Sequence, residues 1–254
     1  MTRIHHLNCG TLHAPPNPAA SCHCLLIEDA SGLALVDTGI GLLDVRDPDG
    51  RIGRPLIEAA GFQFHEDQTA ARRVEALGFR REDVRHVVLT HADPDHTGGL
   101  ADFPNARVHI SAEELAGTRR GHWRYLPAHF AHGPDWREYA GRTDEWFGLE
   151  ARRVELGFAS EVLLVPLFGH TLGYCGVAVR AGDRWLLHAG DAYYLRVELD
   201  RDDHPVSALA AQRADDDATR RQSLEHLRRL ARDHADRIDL VGYHDFTEFP
   251  PPRP

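Results

Sequence analysis

Four potential metal ligands stand close together in the segment HVVLTHADPDHTGGL. His91, Asp93, Asp95 and His96 fall within six residues, directly after an apolar run. Imidazole nitrogens and carboxylate oxygens are ligands that zinc and similar divalent metals take in proteins. A loop at a strand end can turn such side chains toward a common point, whereas a regular strand sends alternate ones to opposite faces. The segment therefore predicts a metal site; the plainer interpretation is a solvated polar loop.

Three further potential ligands also follow apolar runs. PLFGHTLG contains His170, LLHAGDAYY contains Asp191 and VGYHD contains His244. Side chains at strand ends converge along one rim of a sheet, which is the usual position of an α/β active site. Each of the three alone would more often be structural, but their shared placement predicts that they join the loop that contains His91.

The rest of the sequence predicts the elements that hold these residues. Apolar runs bounded by Gly, Asp or Pro predict strands: CLLIED, LALVDTG, HVVLTH, ARVHIS, VLLVPLFGH, CGVAVRAG, RWLLHAGD and IDLVGYHD. Three stretches predict helices: EDQTAARRVEALGF, SAEELAGTRR and DDDATRRQSLEHLRRLARDHA. Strand and helix signals alternate, as in a sheet covered by helices. The region 115–158 shows neither the hydrophobic period of a helix nor that of a strand. We expect it to be an insertion that covers a pocket.

Length and composition narrow the class of protein. The 254 residues, 42% of them hydrophobic, fit a single α/β domain over 1–254. The formal net charge is -10 and no basic block is present, which argues against nucleic acid as a partner. No apolar run approaches the roughly 20 residues that cross a bilayer, so we expect no membrane partner. Four cysteines and an N-terminus without a secretory signal predict a cytoplasmic protein.

With these motifs the sequence resembles the metallo-β-lactamase superfamily over most of its length. The family pattern T-H-x-H-x-D-H-x-x-G matches THADPDHTGG except at position 93, and LALVDTG matches the family strand that ends in an Asp-x-Gly turn. The resemblance implies an α/β fold, a four-layer αβ/βα sandwich, with Asp37 supporting the metal loop. It also implies two ions: one on His91, position 93 and His170, a second on Asp95, His96 and His244, and Asp191 bridging both.

Asp93 is the departure from the family pattern, which has a histidine there. Aspartate is shorter, harder and negatively charged, so it favours metals that prefer oxygen ligands. Zinc remains the first expectation for the two divalent ions, with iron or manganese as alternatives. Asp93 could also fall short of the ion, which would leave the first position weakly bound or empty.

The resemblance implies hydrolysis of a small-molecule lactone or other ester. Two divalent ions lower the pKa of a shared water and polarise the bond under attack. Asp95 would orient the attacking hydroxide, as its counterpart does in the family. Tyr194 matches the tyrosine that contacts the lactone carbonyl in the N-acyl homoserine lactonase branch. Asp95 and Tyr194 are therefore the predicted catalytic residues. In the alternative, Tyr194 only packs beside the sheet.

Other functions stay open at this point. Asp93 with two histidines would form the facial triad of a mononuclear iron enzyme, as in a sulfur or persulfide dioxygenase. A glyoxalase-II-like thioesterase is a further hydrolase alternative, and a non-catalytic binding protein is a third. Four aromatic residues of the insertion either line an acyl pocket or form a surface between subunits of a homodimer: Trp123, Tyr125, Phe130 and Trp136.

Overall fold

The computed structural model describes residues 2–250 and contains two β-sheets. The strands of the first sheet are β1 (Arg3–Leu12), β2 (Ala20–Asp29), β3 (Gly32–Val36), β4 (Phe62–Gln63), β5 (Val84–Val88), β6 (Arg107–Ser111) and β7 (Asp135–Tyr139). Their spatial order is β4-β1-β2-β3-β5-β6-β7. From β3 to β7 the neighbouring strands are parallel, so their carboxyl ends meet at one edge of the sheet.

The second sheet is mostly antiparallel. Its strands are β8 (Asp144–Trp146), β9 (Leu149–Arg153), β10 (Val162–Pro166), β11 (Cys175–Ala181), β12 (Arg184–Gly190) and β13 (Ile238–Gly242), in the order β13-β12-β11-β10-β9-β8. The last two strands in the chain, β12 and β13, pair in parallel. Asp191 and His244 therefore follow neighbouring strand ends.

Helices lie between the strands along the chain. They are α1 (Leu42–Arg46), α2 (Pro48–Arg51), α3 (Arg54–Ala60), α4 (Ala70–Ala76), α5 (Pro94–Thr97), α6 (Ala112–Arg119), α7 (Pro127–Phe130), α8 (Pro205–Arg213) and α9 (Asp217–Asp233). No helix of residues 2–250 is both long enough and apolar enough to span a bilayer.

The two sheets pack face to face, and helices cover their outer faces. Alternate residues of β2 and β3, such as Leu25 and Val36, share an apolar cluster with Val177 of β11. The opposite faces of the sheets contact helices, because Val74 of α4 belongs to the cluster of the first sheet and Leu227 of α9 to that of the second. The resulting four layers are the αβ/βα sandwich that the family resemblance implied.

All eight predicted strand runs contain strands, and each of the three predicted helical stretches contains a helix. The region 115–158 is more regular than its sequence indicated. Its β7 extends the first sheet, and its β8 and β9 extend the second. The parts that lie beside the metal loop are the irregular segment 120–126, which contains Arg124, and α7, whose His129 contacts Thr97.

Candidate metal centre

The loop after β5 carries four of the predicted ligands. His91 follows the carboxyl end of β5, and Asp93 immediately precedes α5. Pro94 is the first residue of that helix, where a missing N–H costs nothing because it would have no partner within the helix. Asp95 and His96 lie in α5 and are buried.

Two glycines let this loop pack against the turn after β3. A Cβ on Gly98 would lie 2.1 Å from Oδ2 of Asp44, and one on Gly99 would lie 2.6 Å from the carbonyl oxygen of Thr38. The backbone N–H of Thr38 donates to the carbonyl of His96 at 2.9 Å. Close packing of the loop against this turn therefore requires glycine at both positions.

Asp37 joins the turn to the loop. Its Oδ1 accepts from the backbone N–H of Thr90 at 2.9 Å, and its Oδ2 accepts from the Thr90 hydroxyl at 2.8 Å. Oδ2 also lies 2.8 Å from Nδ1 of His96. Burial would raise the pKa of the Asp37 carboxyl, but the adjacent His96 holds it below its usual range. Asp37 therefore has the contacts of a residue that orients a metal-binding histidine.

The structure brings six of the seven predicted ligands into two groups, within each of which the donor atoms lie no more than 4.8 Å apart. We call His91, His170 and Asp191 the first group, and Asp95, His96 and His244 the second group. Asp191 contacts both groups: its Oδ2 is 3.6 Å from Nε2 of His170 in the first group, and its Oδ1 is 3.4 Å from Nε2 of His96 in the second. Oδ2 of Asp191 is also 3.2 Å from Nε2 of His244.

The chemistry of these donors fits divalent metal ions. Nε2 of His91, Nε2 of His96 and Oδ1 of Asp191 are buried without a hydrogen-bond partner among the described residues. Unpaired buried polar atoms are costly, and a metal ion would satisfy them. Burial opposes a charge on His96, yet the carboxylates of Asp191, Asp95 and Asp37 raise its pKa well above its usual value. The cluster therefore favours a cation.

Backbone and carboxylate contacts orient the histidines of the second group. Nδ1 of His244 lies 2.9 Å from the carbonyl oxygen of Ser21, and Nδ1 of His96 faces Asp37. A carbonyl only accepts, so Nδ1 of His244 carries the proton. In a neutral ring each Nε2 then keeps its lone pair for a metal.

Asp93 lies next to the first group but is bound by an arginine. Nε of Arg124 donates to Oδ1 of Asp93 at 2.9 Å, and Nη2 donates to Oδ2 at 2.6 Å. That Oδ2 is 3.5 Å from Nε2 of His91 and 3.4 Å from Nε2 of His170. Burial would raise the pKa of Asp93, but Arg124 holds it well below its usual range. Both carboxylate oxygens are thus already paired.

Sequence reasoning missed Arg124 and Glu114. Arg124 lies in the irregular segment before α7, and its side chain is fully buried. Glu114 of α6 accepts from the backbone N–H of Ala92 at 2.9 Å and from the hydroxyl of Thr171 at 2.7 Å, so it connects the loops of His91 and His170. The available signal for Arg124 was the carboxylate of Asp93, which stands in the metal loop where the family has histidine and, once buried, needs a cation beside it.

Tyr194 faces both donor groups. Its ring centroid lies 5.2 Å from that of His244 and 6.0 Å from that of His170. Burial raises the pKa of the Tyr194 phenol well above 10, and nearby Asp191 raises it further. By contrast, the Tyr193 hydroxyl donates to Oε1 of Glu248 at 2.8 Å, which identifies Tyr193 as a structural residue.

The aromatic residues of 115–158 do not form one surface. Trp123 is 71% exposed, whereas Tyr125 is buried and its hydroxyl donates to Glu114. Phe130 and Trp136 contact each other, with ring centroids 5.7 Å apart, and pack against the core. Trp123 is therefore the member of the set available to a ligand or a partner.

Comparison with known proteins finds relatives that are named as hydrolases. A protein of Mycobacterium tuberculosis (strain ATCC 25618 / H37Rv) named "Probable metallo-hydrolase Rv2300c" is 46% identical over 205 residues, which are 78% of this chain and 64% of that protein. The N-acyl homoserine lactonase AttM of Rhizobium johnstonii is 32% identical over 67% of this chain and 64% of its own. This chain thus spans just under two thirds of the length of these curated relatives.

Solved structures share the fold. An N-acyl homoserine lactone hydrolase with N-hexanoyl-L-homoserine bound at its catalytic metal centre superimposes with a TM-score of 0.73, at 17% identity, over 96% of this chain and 94% of that one. The dizinc quorum-quenching lactonase AidC gives a TM-score of 0.58, at 20% identity, over 90% and 74%. The family model described as "Metallo-beta-lactamase superfamily" matches residues 17–238. This chain belongs to the metallo-β-lactamase superfamily.

Proposed function

We propose that this protein is a metal-dependent hydrolase that opens a lactone or a related ester. The observation that carries the proposal is the pair of donor groups joined by Asp191, with the phenol of Tyr194 facing both. Relatives named as lactonases, and lactonase structures with N-acyl homoserine products, favour a lactone among the esters.

The proposed metal ligands are the seven residues predicted from the sequence: His91, Asp93, Asp95, His96, His170, Asp191 and His244. When saturated, the site would hold two divalent ions, zinc by preference, with iron or manganese as alternatives because of Asp93. A bound ion would lower the pKa of a water and polarise the substrate carbonyl.

Two side chains of this protein are proposed to act on the substrate. Asp95, in the second group, would orient the attacking water and accept its proton. Tyr194 stays protonated near neutral pH because burial raises its pKa, so it can donate a hydrogen bond to the carbonyl oxygen or to the leaving alkoxide. That hydrogen bond would stabilise charge that develops only in the transition state.

An iron dioxygenase is the second candidate. Oδ2 of Asp93 lies within 3.5 Å of Nε2 of both His91 and His170, a separation compatible with one shared ion. The bidentate pairing of Asp93 with Arg124 disfavours this function, because both carboxylate oxygens are already engaged.

The test uses protein purified without chelator, whose bound metals are measured by elemental mass spectrometry. The same sample is assayed on an N-acyl homoserine lactone, an aryl ester and a glutathione thioester. Lactone opening above the other two rates, lost on chelation, is the expected result. Preferential thioester cleavage would replace the lactone by a glyoxalase-II-like substrate. One iron per chain, with oxygen consumed on a persulfide and no hydrolysis, would replace the proposal by the dioxygenase.

A further inference from the structure

The guanidinium of Arg124 is buried at the first group and surrounded by acceptors. Besides its two hydrogen bonds to Asp93, its Nη2 lies 2.9 Å from Nε2 of His170. Its Nη1 donates to the carbonyl oxygen of Arg213 and lies 3.5 Å from Oδ1 of Asp215. The side chain has no exposed surface. Arg124 is therefore a buried cation that its hydrogen bonds hold beside the first group.

The contact between Arg124 and His170 uses the atom that a metal would need. A guanidinium has five N–H donors and no acceptor, so Nε2 of His170 must supply its lone pair. Nδ1 of His170 is buried without a hydrogen-bond partner among the described residues, unlike Nδ1 of His244, which has the carbonyl of Ser21. Because one lone pair cannot serve a guanidinium and a metal ion together, the two cations compete.

Asp93 is engaged in the same way. Both of its oxygens accept from Arg124, so this carboxylate could bind an ion fully only by giving up part of a bidentate pair. A divalent ion beside a buried guanidinium would also be repelled by it, since charges interact strongly where water is excluded. Arg124 thus opposes the first ion through lost ligands and through charge.

The second group has no such competitor. Within residues 2–250, the ion-pair partners of Asp95 are His96 and His244, and those of Asp191 are these two histidines and His170. Nε2 of His96 has no hydrogen-bond partner in this part of the chain. The one hydrogen-bond contact of Nε2 of His244 among the described residues, 3.2 Å to Oδ2 of Asp191, joins two proposed ligands of the same centre, so no arginine has to leave before a metal binds here.

We propose that Arg124 is a built-in competitor for the first metal position. The chain fills the second group, with Asp191, first, and it binds an ion at His91 and His170 only when Arg124 releases His170. The proposal rests on the proposed function only in assuming a metal centre. Next to Asp93, Arg124 supplies part of the positive charge that a first ion would bring.

The test is a zinc titration of chelator-treated, dialysed protein. Binding is measured by calorimetry and by competition with a chromophoric chelator. We expect the wild type to bind one ion tightly and a second at least about 100-fold more weakly. Arg124→Met, which keeps an unbranched side chain about as long as the arginine stem and removes the guanidinium with its charge and donors, should tighten the second ion by about 10–100-fold. Cobalt titrations should show the matching spectral change, with the second absorption step shifted to lower cobalt concentration in the variant.

Arg213→Met is the matched control. It also removes a positive charge near the site, since the Arg213 guanidinium lies 6.0 Å from the ring of Trp123, but it leaves Asp93 and His170 paired. It should titrate as the wild type does. The double variant Asp93→His/Arg124→Met restores the family's ligand and should bind two ions tightly; it also covers the case in which Arg124→Met alone does not fold.

Two results would overturn the proposal: a wild type that binds two ions with similar affinity, or a folded Arg124→Met whose second ion binds no tighter than in the wild type. Neither outcome depends on hydrolysis. A chain that binds ions in the stated order yet opens no ester keeps this inference and loses the proposed function.

Discussion

Arg124 and Asp93 form a bidentate ion pair beside the donors of the first group, with Nη2 of Arg124 2.6 Å from Oδ2 of Asp93. The pair occupies the position where the family pattern has a metal-binding histidine. Both side chains are almost completely buried, so each depends on the other for its charge to be tolerated.

Breaking that pair should destabilise the fold. Asp93→Ala leaves a buried guanidinium without its carboxylate, and we expect a loss of about 3–5 kcal/mol in the free energy of unfolding. The measurement is urea unfolding of chelator-treated protein. The double variant Asp93→Leu/Arg124→Met should recover most of the loss, because neither the guanidinium nor the Asp93 carboxylate is then left buried without its partner. Single and double variants that unfold at the same urea concentration would contradict this interpretation.

Asp37 should support metal binding without touching the metal. Asp37→Asn weakens its interaction with Nδ1 of His96, so we expect zinc at the second group to bind about 10–100-fold more weakly. Competition with a chromophoric chelator measures the change. Asp183→Asn, an equivalent substitution in an exposed turn, is the control and should leave zinc affinity unchanged. Equal zinc affinities of the two variants would contradict a role of Asp37 in metal binding.

Tyr194 should act in turnover and leave metal binding intact. Tyr194→Phe removes only the phenol hydroxyl, and we expect kcat for the lactone to fall by about 10–100-fold with the metal content unchanged. Tyr193→Phe is its neighbour control, since that hydroxyl binds Glu248. It should lower stability by about 1 kcal/mol and leave kcat near the wild-type value. Equal kcat values for the wild type and Tyr194→Phe would exclude the proposed hydrogen bond.

Glu114 should make stability depend on pH. Burial raises its pKa from 4.5 to about 7, so the folded protein binds this proton more tightly than the unfolded chain does. Its contribution is therefore fully present below about pH 4.5 and is lost as the pH rises toward 7, by roughly 3 kcal/mol. The difference in unfolding free energy between the wild type and Glu114→Gln, measured from pH 4.5 to 8, should show this slope. If this difference in unfolding free energy does not change with pH, Glu114 is not the group whose pKa differs between the folded and unfolded protein.

The sequence was a good guide wherever an apolar run leads directly into a polar residue. His91, Asp191 and His244 follow strands that are recognisable from their own residues, and parallel pairing brings such strand ends together. Leu224, Leu227 and Leu230, which stand three apart in the predicted helical stretch, are buried on one face of α9. In each case the signal is local and the consequence follows from the geometry of a strand or helix.

What could not be predicted depends on contacts between distant residues. Arg124 meets Asp93 across 31 positions and His170 across 46, from a segment with no secondary-structure period. Glu114 connects two loops that are far apart in the sequence, although α6 itself was predicted. Such contacts are fixed by how the loops pack on the finished sheets, and neither spacing nor composition records that packing.

The measurement that tests the central claim most directly is lactone opening before and after removal of metal. Proton release from an N-acyl homoserine lactone is followed for protein as purified, after dialysis against a chelator, and after zinc is returned. The account predicts hydrolysis, its loss and its recovery, in step with the zinc content measured on the same samples. Hydrolysis that survives complete removal of metal, or its absence in zinc-saturated folded protein, would contradict it.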